Sequence, residues 1–304
     1  MIPISFNEKE AVNELYHLLL NIKKKQKDKQ KFINYIRGIN KWCLENIVVD
    51  DQSYSLSDII RADYSKINKI VKVYNSKQIA MCSKHKKFIL DILYQQRFPR
   101  KEFVEALQVT VCPYCNRNFI NSTYKRTMCD LDHFYNKETY PFLAVSFYNL
   151  VPVCHACNHA KGSGSMSYSP HNSQFSTDDL LTFDFYITGM DYMFNHKQIS
   201  IEIEYNSIFE DNVKRLKLLE VYQTHSDIVQ ECIKRAIIFN PEYLTDLYQT
   251  YDELFESEAE VYRIAYGYYW EESAYGKRPL SKLTKDILNN LLIEIYGFDI
   301  CENI

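Results

Sequence analysis

Apolar residues recur at helical spacing over the first third of the chain. Leu15, Leu18, Leu19 and Ile22 fall three and four apart; a Lys-rich run follows from Lys23 to Lys31. The spacing then resumes with Phe32, Ile33, Ile36 and Ile39, so residues 6–50 read as helical. Residues 56–107 read the same way, from Ile59, Ile60, Ile67, Ile70, Val71 and Val73 to Phe88, Ile89, Ile92 and Leu93. Pro99 interrupts that stretch near its end. The helical period fades at Val109. From there to about Ser173 the text is dense in Cys, His, Asn, Pro and aromatic residues, and residues 162–177, GSGSMSYSPHNSQFST, form a loop by composition. Strict alternation follows. LTFDFYI (181–187) and ISIEIEY (199–205), with Gly189 and Asn195 between them, predict a β-hairpin. From Asn212 onward amphipathic spacing returns over 213–239 and 242–266. GKRPLSKLTKDILNNLLIEIYG closes the chain, with Pro279 as a helix start and Gly297 as a stop. The chain thus divides into an N-terminal helical region (1–108), a central unit (109–174) and a hairpin plus C-terminal helical region (175–304). No internal repeat is visible.

Composition narrows this picture. A chain of 304 residues accommodates one or two domains. It is 46% hydrophobic and 25% charged, which excludes a disordered polyelectrolyte. The first residues lack a signal-peptide pattern, and no stretch approaches the roughly eighteen apolar residues of a membrane span. A cytoplasmic protein with no membrane association is expected. The net charge of −3 conceals a gradient. Residues 1–111 carry +8, residues 112–174 carry +2, and residues 175–304 carry −13. The front half can face a polyanion and the back end would repel one; solvated helical faces are the alternative for both and the better account of the acidic part. The 25 tyrosines can supply stacking surfaces for bases, although such an excess more often fills core and surface.

Four of the nine cysteines form two close pairs, Cys112-x2-Cys115 and Cys154-x2-Cys157. In a cytosolic chain such pairs point to metal, and two knuckles with a spacer predict a tetrahedral site of four thiolates on one zinc. Four thiolates leave no open coordination position, so this zinc is expected to be structural. Between the knuckles lies Asp130-Leu131-Asp132-His133. A His beside an Asp pairs a proton acceptor with a carboxylate that can hold a divalent cation against a phosphate. By itself the dipeptide is common surface text. Asn149 lies sixteen residues past His133, and Asn158 nine residues past Asn149, directly after Cys157.

The order Cys-x2-Cys, Asp-His, Asn-Leu, Cys-x2-Cys-Asn, Lys-Gly resembles the HNH nucleases of the His-Me finger superfamily over about fifty residues. The resemblance implies a mainly α, α+β protein with a small central ββα-metal finger stabilised by a four-cysteine zinc site. It implies His133 as general base and Asp132 and Asn158 as ligands of a catalytic Mg²⁺ or Mn²⁺. Asn149 would brace the loop and orient His133. Lys161, and secondarily His159, would touch phosphate. Cys112, Cys115, Cys154 and Cys157 would hold structural zinc. The third motif position is Asn where many members have His, and Gly162 stands where bacteriocin-type members have a further His. His155 and His159 flank Asn158 and read as supports for the metal ligands or as phosphate contacts; His171, in a loop, carries no assignment.

HFYNKETYPFLAVSFYNLVPVC and GKRPLSKLTKDI resemble more narrowly the HNH subunits of Septu-type and retron-associated anti-phage defence systems. That similarity implies an effector working with a regulatory ABC-type ATPase. Its nucleic-acid substrate would be DNA, with RNA, including transfer RNA, as the alternative. A non-catalytic, zinc-stabilised binding module explains the cysteines but leaves Asp132, His133 and both Asn positions as coincidence. Pro141, Phe142 and Leu143 read equally well as apolar packing of the loop against flanking helices.

Overall fold

The computed structural model describes residues 2–6, 9–21, 29–77, 79–122 and 127–300. Ile22 and residues 23–28 of the Lys-rich run lie outside them. The protein is mainly helical with three two-stranded sheets among the described residues, an α+β composition. The chain separates into two compact units that interleave in sequence. One contains residues 4–109 and 120–172; the other contains residues 1–3, 110–119 and 173–304. This partition differs from the three consecutive regions 1–108, 109–174 and 175–304, and the reason is packing. Ile39, Ile59, Ile67, Ile89 and Phe103 from the front of the chain share one apolar core with Leu131, Phe142, Leu143, Phe147 and Leu150. Once these side chains are joined, cutting the chain near residue 109 would expose both halves of a single core.

In the first of these units, helices α1 (Lys9–Leu20) and α2 (Lys29–Asn46) lead into a tight pair of two-residue strands, β1 (Val48–Val49) and β2 (Gln52–Ser53). Helices α3 (Leu56–Arg61) and α4 (Tyr64–Lys77) follow, the first started by a reciprocal cap between Ser55 and Asp58. Helix α5 (Ser83–Lys87) runs on into a wide π-helical segment, Phe88–Arg97. Pro99, which cannot donate a backbone hydrogen bond, separates that segment from α6 (Arg100–Leu107). Strand β3 (Asp130–His133) pairs antiparallel with β4 (Leu150–Val153), Asp130 opposite Val153 and His133 opposite Leu150. Helix α7 (His155–Lys161) follows β4 directly. The connection between β3 and β4 is almost entirely buried from Pro141 to Phe147, with Phe142 against Trp42 and Tyr74. The apolar text 141–143 therefore does the packing that its composition suggests.

In the other unit, α8 (Thr177–Leu180) precedes β5 (Leu181–Ile187), which pairs along its whole length with β6 (Ile199–Tyr205). These strands occupy the residues whose alternation predicts them. The C-terminal helices are shorter than the amphipathic stretches that encode them. Residues 213–239 are split among α9 (Glu210–Leu216), α10 (Leu218–Gln223) and α11 (Ser226–Ile238). Lys217 makes the first break in a left-handed conformation, φ 51°, with no glycine to announce it. Residues 242–266 become α12 (Pro241–Thr250) and α13 (Glu258–Tyr266). The last helix, α14 (Ser281–Tyr296), ends at Gly297, whose φ of 64° suits a residue without Cβ. No helix among the described residues is long and apolar enough to cross a membrane.

Candidate active site and four-cysteine group

The sulfur atoms of Cys112, Cys115, Cys154 and Cys157 lie within 4.8 Å of one another, and all four residues are buried. A zinc tetrahedron with Zn–S bonds near 2.3 Å has sulfurs ~3.8 Å apart, so a small contraction closes this group on one ion. This is a buried four-cysteine group that could hold a structural metal such as zinc. Each knuckle is formed by its backbone. The Asn116 N–H donates to the Cys112 carbonyl, and Asn116 turns the chain at φ 48°. Cys154 caps α7, its carbonyl accepting from the Asn158 N–H. Asn116 also donates through its side chain to the Tyr275 carbonyl and accepts from the Lys282 N–H. Tyr222 Oη donates to the Cys115 carbonyl. The first knuckle is thus seated by polar contacts from the C-terminal part of the chain. In the GKRPLSKLTKDI segment the buried Lys282 lies 2.7 Å from the buried Asp286, and 2.8 Å from the exposed Asp178 of α8.

The second group of predicted residues converges on one cavity of about 350 Å³. Asp130, Asp132 and His133 of β3 line it together with Asn158 of α7. The period of the strand turns Asp130 and Asp132 to one side. His133 is 7% exposed, and its Nε2 lies 3.0 Å from the Ala144 carbonyl. A carbonyl can only accept, so Nε2 carries the hydrogen and Nδ1 keeps the lone pair. Burial pushes the His133 imidazole far below its usual range, to about 3. The Ala144 carbonyl pulls the other way, and the positive charges of Lys137, Lys161 and Arg100 add to the depression. The ring is therefore neutral at physiological pH, with Nδ1 the nitrogen able to accept a proton.

Asn149 is fully buried and spends its whole amide on the β3–β4 connection. Its Oδ1 accepts from the Tyr135 N–H at 2.7 Å, and its Nδ2 donates to the carbonyls of Tyr135 (3.0 Å) and Leu143 (3.1 Å). Leu143 precedes Ala144, the residue that fixes the His133 tautomer. The side chain thus acts on His133 through the loop and does not itself enter the cavity.

Asn158 donates through Nδ2 to Asp130 Oδ2 at 2.9 Å, which leaves its amide oxygen as an acceptor. His155 Nδ1 lies 2.9 Å from the same carboxylate oxygen. Asp130 is a member of the site that the motif reading left without a role; its position two residues before Asp132 on a strand was the available signal. His155 is exposed and supports Asp130, whereas His159 is exposed and is not among the cavity-lining residues. Lys161, expected at a phosphate, is 2% exposed. Its ammonium donates to Asp132 Oδ1 at 3.0 Å and to the His133 carbonyl at 2.8 Å. Its position is internal because the last turn of α7 lies against β3, so that a long side chain there reaches the strand instead of solvent. His171 is buried as well, with Nε2 2.9 Å from the Leu150 carbonyl, and burial pushes it down to about 4.

The front of the chain supplies further lining: Tyr94 from the π-helical segment and Arg100 from α6, joined by Lys137 from the β3–β4 connection. The His133 ring meets the Tyr94 ring edge-on at 4.5 Å. Nothing in residues 88–100 marks this role in the sequence, because it arises from the fold of the unit. Cys129 also lines the cavity, but burial and the neighbouring Asp130 push its thiol up to about 11, so no thiolate nucleophile is present at neutral pH.

Comparison with family models, curated proteins and solved structures finds no match to the chain.

Proposed function

We propose that the β3–β4–α7 segment is a ββα-metal finger of the HNH type and that the protein is a metal-dependent endonuclease acting on nucleic-acid phosphodiester bonds. The observation that carries this reading is the meeting of Asp132, His133 and Asn158 on one cavity, with the His133 lone pair assigned to Nδ1 by the Ala144 carbonyl. In this reading His133 Nδ1 takes a proton from the attacking water. Asn149 holds the loop that fixes the His133 ring. Asp132 and the Asn158 amide oxygen would hold Mg²⁺ or Mn²⁺, and both are the hard oxygen donors those ions prefer. When bound, such an ion stabilises negative charge building on the scissile phosphate. The donor set fits by type and place: a carboxylate and an amide whose residues both line the cavity. Asp130 orients the Asn158 amide by accepting from its Nδ2. The four-cysteine group would carry zinc and keep α7 in place.

DNA is the substrate favoured by this family resemblance, with RNA, including transfer RNA, as the alternative. The same resemblance supports a cytoplasmic effector of anti-phage defence, restrained or triggered by an ABC-type ATPase. The modest +2 charge of residues 112–174 favours delivery of substrate by such a partner. One observation supports a second reading, a zinc-stabilised binding module without catalysis. Lys161 already places a cation on Asp132, which satisfies that carboxylate without a metal.

The test is nuclease activity of the purified protein on plasmid DNA and total transfer RNA, with Mg²⁺ or Mn²⁺ against a chelator. It is run with and without the protein encoded beside it. Metal-dependent, chelator-sensitive cleavage is the expected result. Intact polymers under every condition would leave the binding module as the better account.

A further inference from the structure

Two cations on the wall of the cavity have no carboxylate within ion-pair distance among the described residues: Arg100 and Lys137. Both lie against the ring that also touches His133. The Arg100 guanidinium carbon is 4.7 Å from the Tyr94 ring centroid, and the Lys137 ammonium is 5.0 Å from it. Tyr94 is itself buried, with Oη 3.4 Å from the Leu131 carbonyl. Neither cation sits on a loose loop. Arg100 opens α6 immediately after Pro99. Lys137 follows Asn136, whose Oδ1 accepts from the Glu138 N–H at 2.7 Å and whose Nδ2 donates to the Ser163 carbonyl. The cavity therefore pairs acidic residues on β3 with a fixed, unneutralised basic side.

We infer that Arg100 and Lys137 form the phosphate-binding arm of this cavity, gripping the backbone of a nucleic acid beside His133. The inference rests on the nuclease reading for its ligand class, and it gives a role to residues outside the motif text. Lys161 does not fill that role, because its ammonium is buried on Asp132. Arg100 is suited to two oxygens of one phosphate by its planar fork, and Lys137 to a single oxygen as a point charge. Tyr94, buried beneath them, backs both cations. Contacts of this kind are sequence-independent and weaken with salt. An arm of two cations predicts weak binding on its own, in keeping with substrate delivery by a partner.

The experiment is fluorescence anisotropy of the full-length protein with a labelled single-stranded DNA, a duplex DNA and a single-stranded RNA. All are measured without added Mg²⁺ or Mn²⁺ and with zinc retained, so that cleavage plays no part, across a salt series from about 50 to 200 mM. Arg100→Gln and Lys137→Gln should each weaken binding about tenfold at the low-salt end and flatten the log–log salt slope by about one. Arg100→Lys should recover part of the loss. Lys101→Gln, which removes a cation paired with Glu105, should bind as wild type. Circular dichroism and thermal midpoints confirm that each variant is folded. Unchanged affinity and slope in both Gln variants would overturn the arm, as would a wild-type protein that binds none of the three polymers at low salt. The two claims fail separately. Binding that depends on Arg100 without metal-dependent cleavage sinks the nuclease reading alone. Cleavage with binding indifferent to Arg100 and Lys137 sinks the arm alone.

Discussion

Lys161 and Asp132 form a buried ion pair, the ammonium 3.0 Å from the carboxylate and the two side chains 1% and 5% exposed. The pair ties the last turn of α7 to β3 at the residue before His133. Removing one partner of such a pair leaves an uncompensated buried charge, which costs roughly 3–5 kcal/mol. Lys161→Met should therefore be strongly destabilised in urea unfolding. Under the nuclease reading, Mn²⁺ should raise the thermal midpoint of this variant more than that of wild type, because the ion no longer competes with the Lys161 ammonium for Asp132. A Lys161→Met protein as stable as wild type would show that the pair is dispensable, and equal metal responses would argue against a cation site at Asp132.

Asn149 supports the loop beneath His133 with three hydrogen bonds and no solvent access. Asn149→Ala strands the Tyr135 N–H and two carbonyls. At about 1–3 kcal/mol for each unsatisfied buried group, partly relieved by relaxation, a loss of roughly 3 kcal/mol is expected. Under the nuclease reading activity should fall as well, through misplacement of Ala144 and the His133 ring. Asn149→Ala with wild-type stability would contradict this bracing role.

Two buried histidines contribute to the acid response of this unit. Burial lowers His171 to about 4 and His133 to about 3, from an ordinary value near 6.5. Each binds its proton more readily in the unfolded chain. Their contribution to stability is therefore complete above about pH 6.5 and is lost as pH falls toward 4 and below. At His171 the difference corresponds to about 3 kcal/mol at most. Unfolding free energies between pH 7 and 4 should fall steeply for wild type and less steeply for His171→Phe. Equal slopes for the two proteins would refute the assignment to His171.

The sequence made some of this visible and hid the rest for identifiable reasons. Elements governed by local chemistry were legible: the alternation at 181–187 and 199–205, the Gly297 stop, and the paired cysteine knuckles. The helix breaks at Lys217 and between Gln223 and Ser226 were not, because they carry no Gly or Pro and are imposed by packing. The text named Asp132, His133 and Asn158 of the cavity and Asn149 beneath it, but gave no role to Asp130, Tyr94 or Arg100. Asp130 acts through Asn158 and His155, and Tyr94 and Arg100 reach the cavity only because residues 4–109 share a core with residues 120–172. Lys161 shows the converse. Its type and spacing suggest a surface phosphate contact, and only the approach of α7 to β3 makes it internal.

The cysteine group has its own test. Purified protein should contain close to one zinc per chain. Cys154→Ser should lose that zinc and unfold at lower temperature, since structural zinc binding is folding free energy. Protein that is zinc-free yet folded would end the assignment.

The nuclease proposal stands or falls on His133 as general base. The decisive comparison sets wild type against His133→Ala on plasmid DNA and transfer RNA in Mn²⁺ and Mg²⁺, with and without the protein encoded beside it and with zinc content matched. Chelator-sensitive cleavage by wild type is expected, with a rate at least about 100-fold lower for His133→Ala. Equal cleavage by both proteins, or none by wild type under any of these conditions, would contradict it.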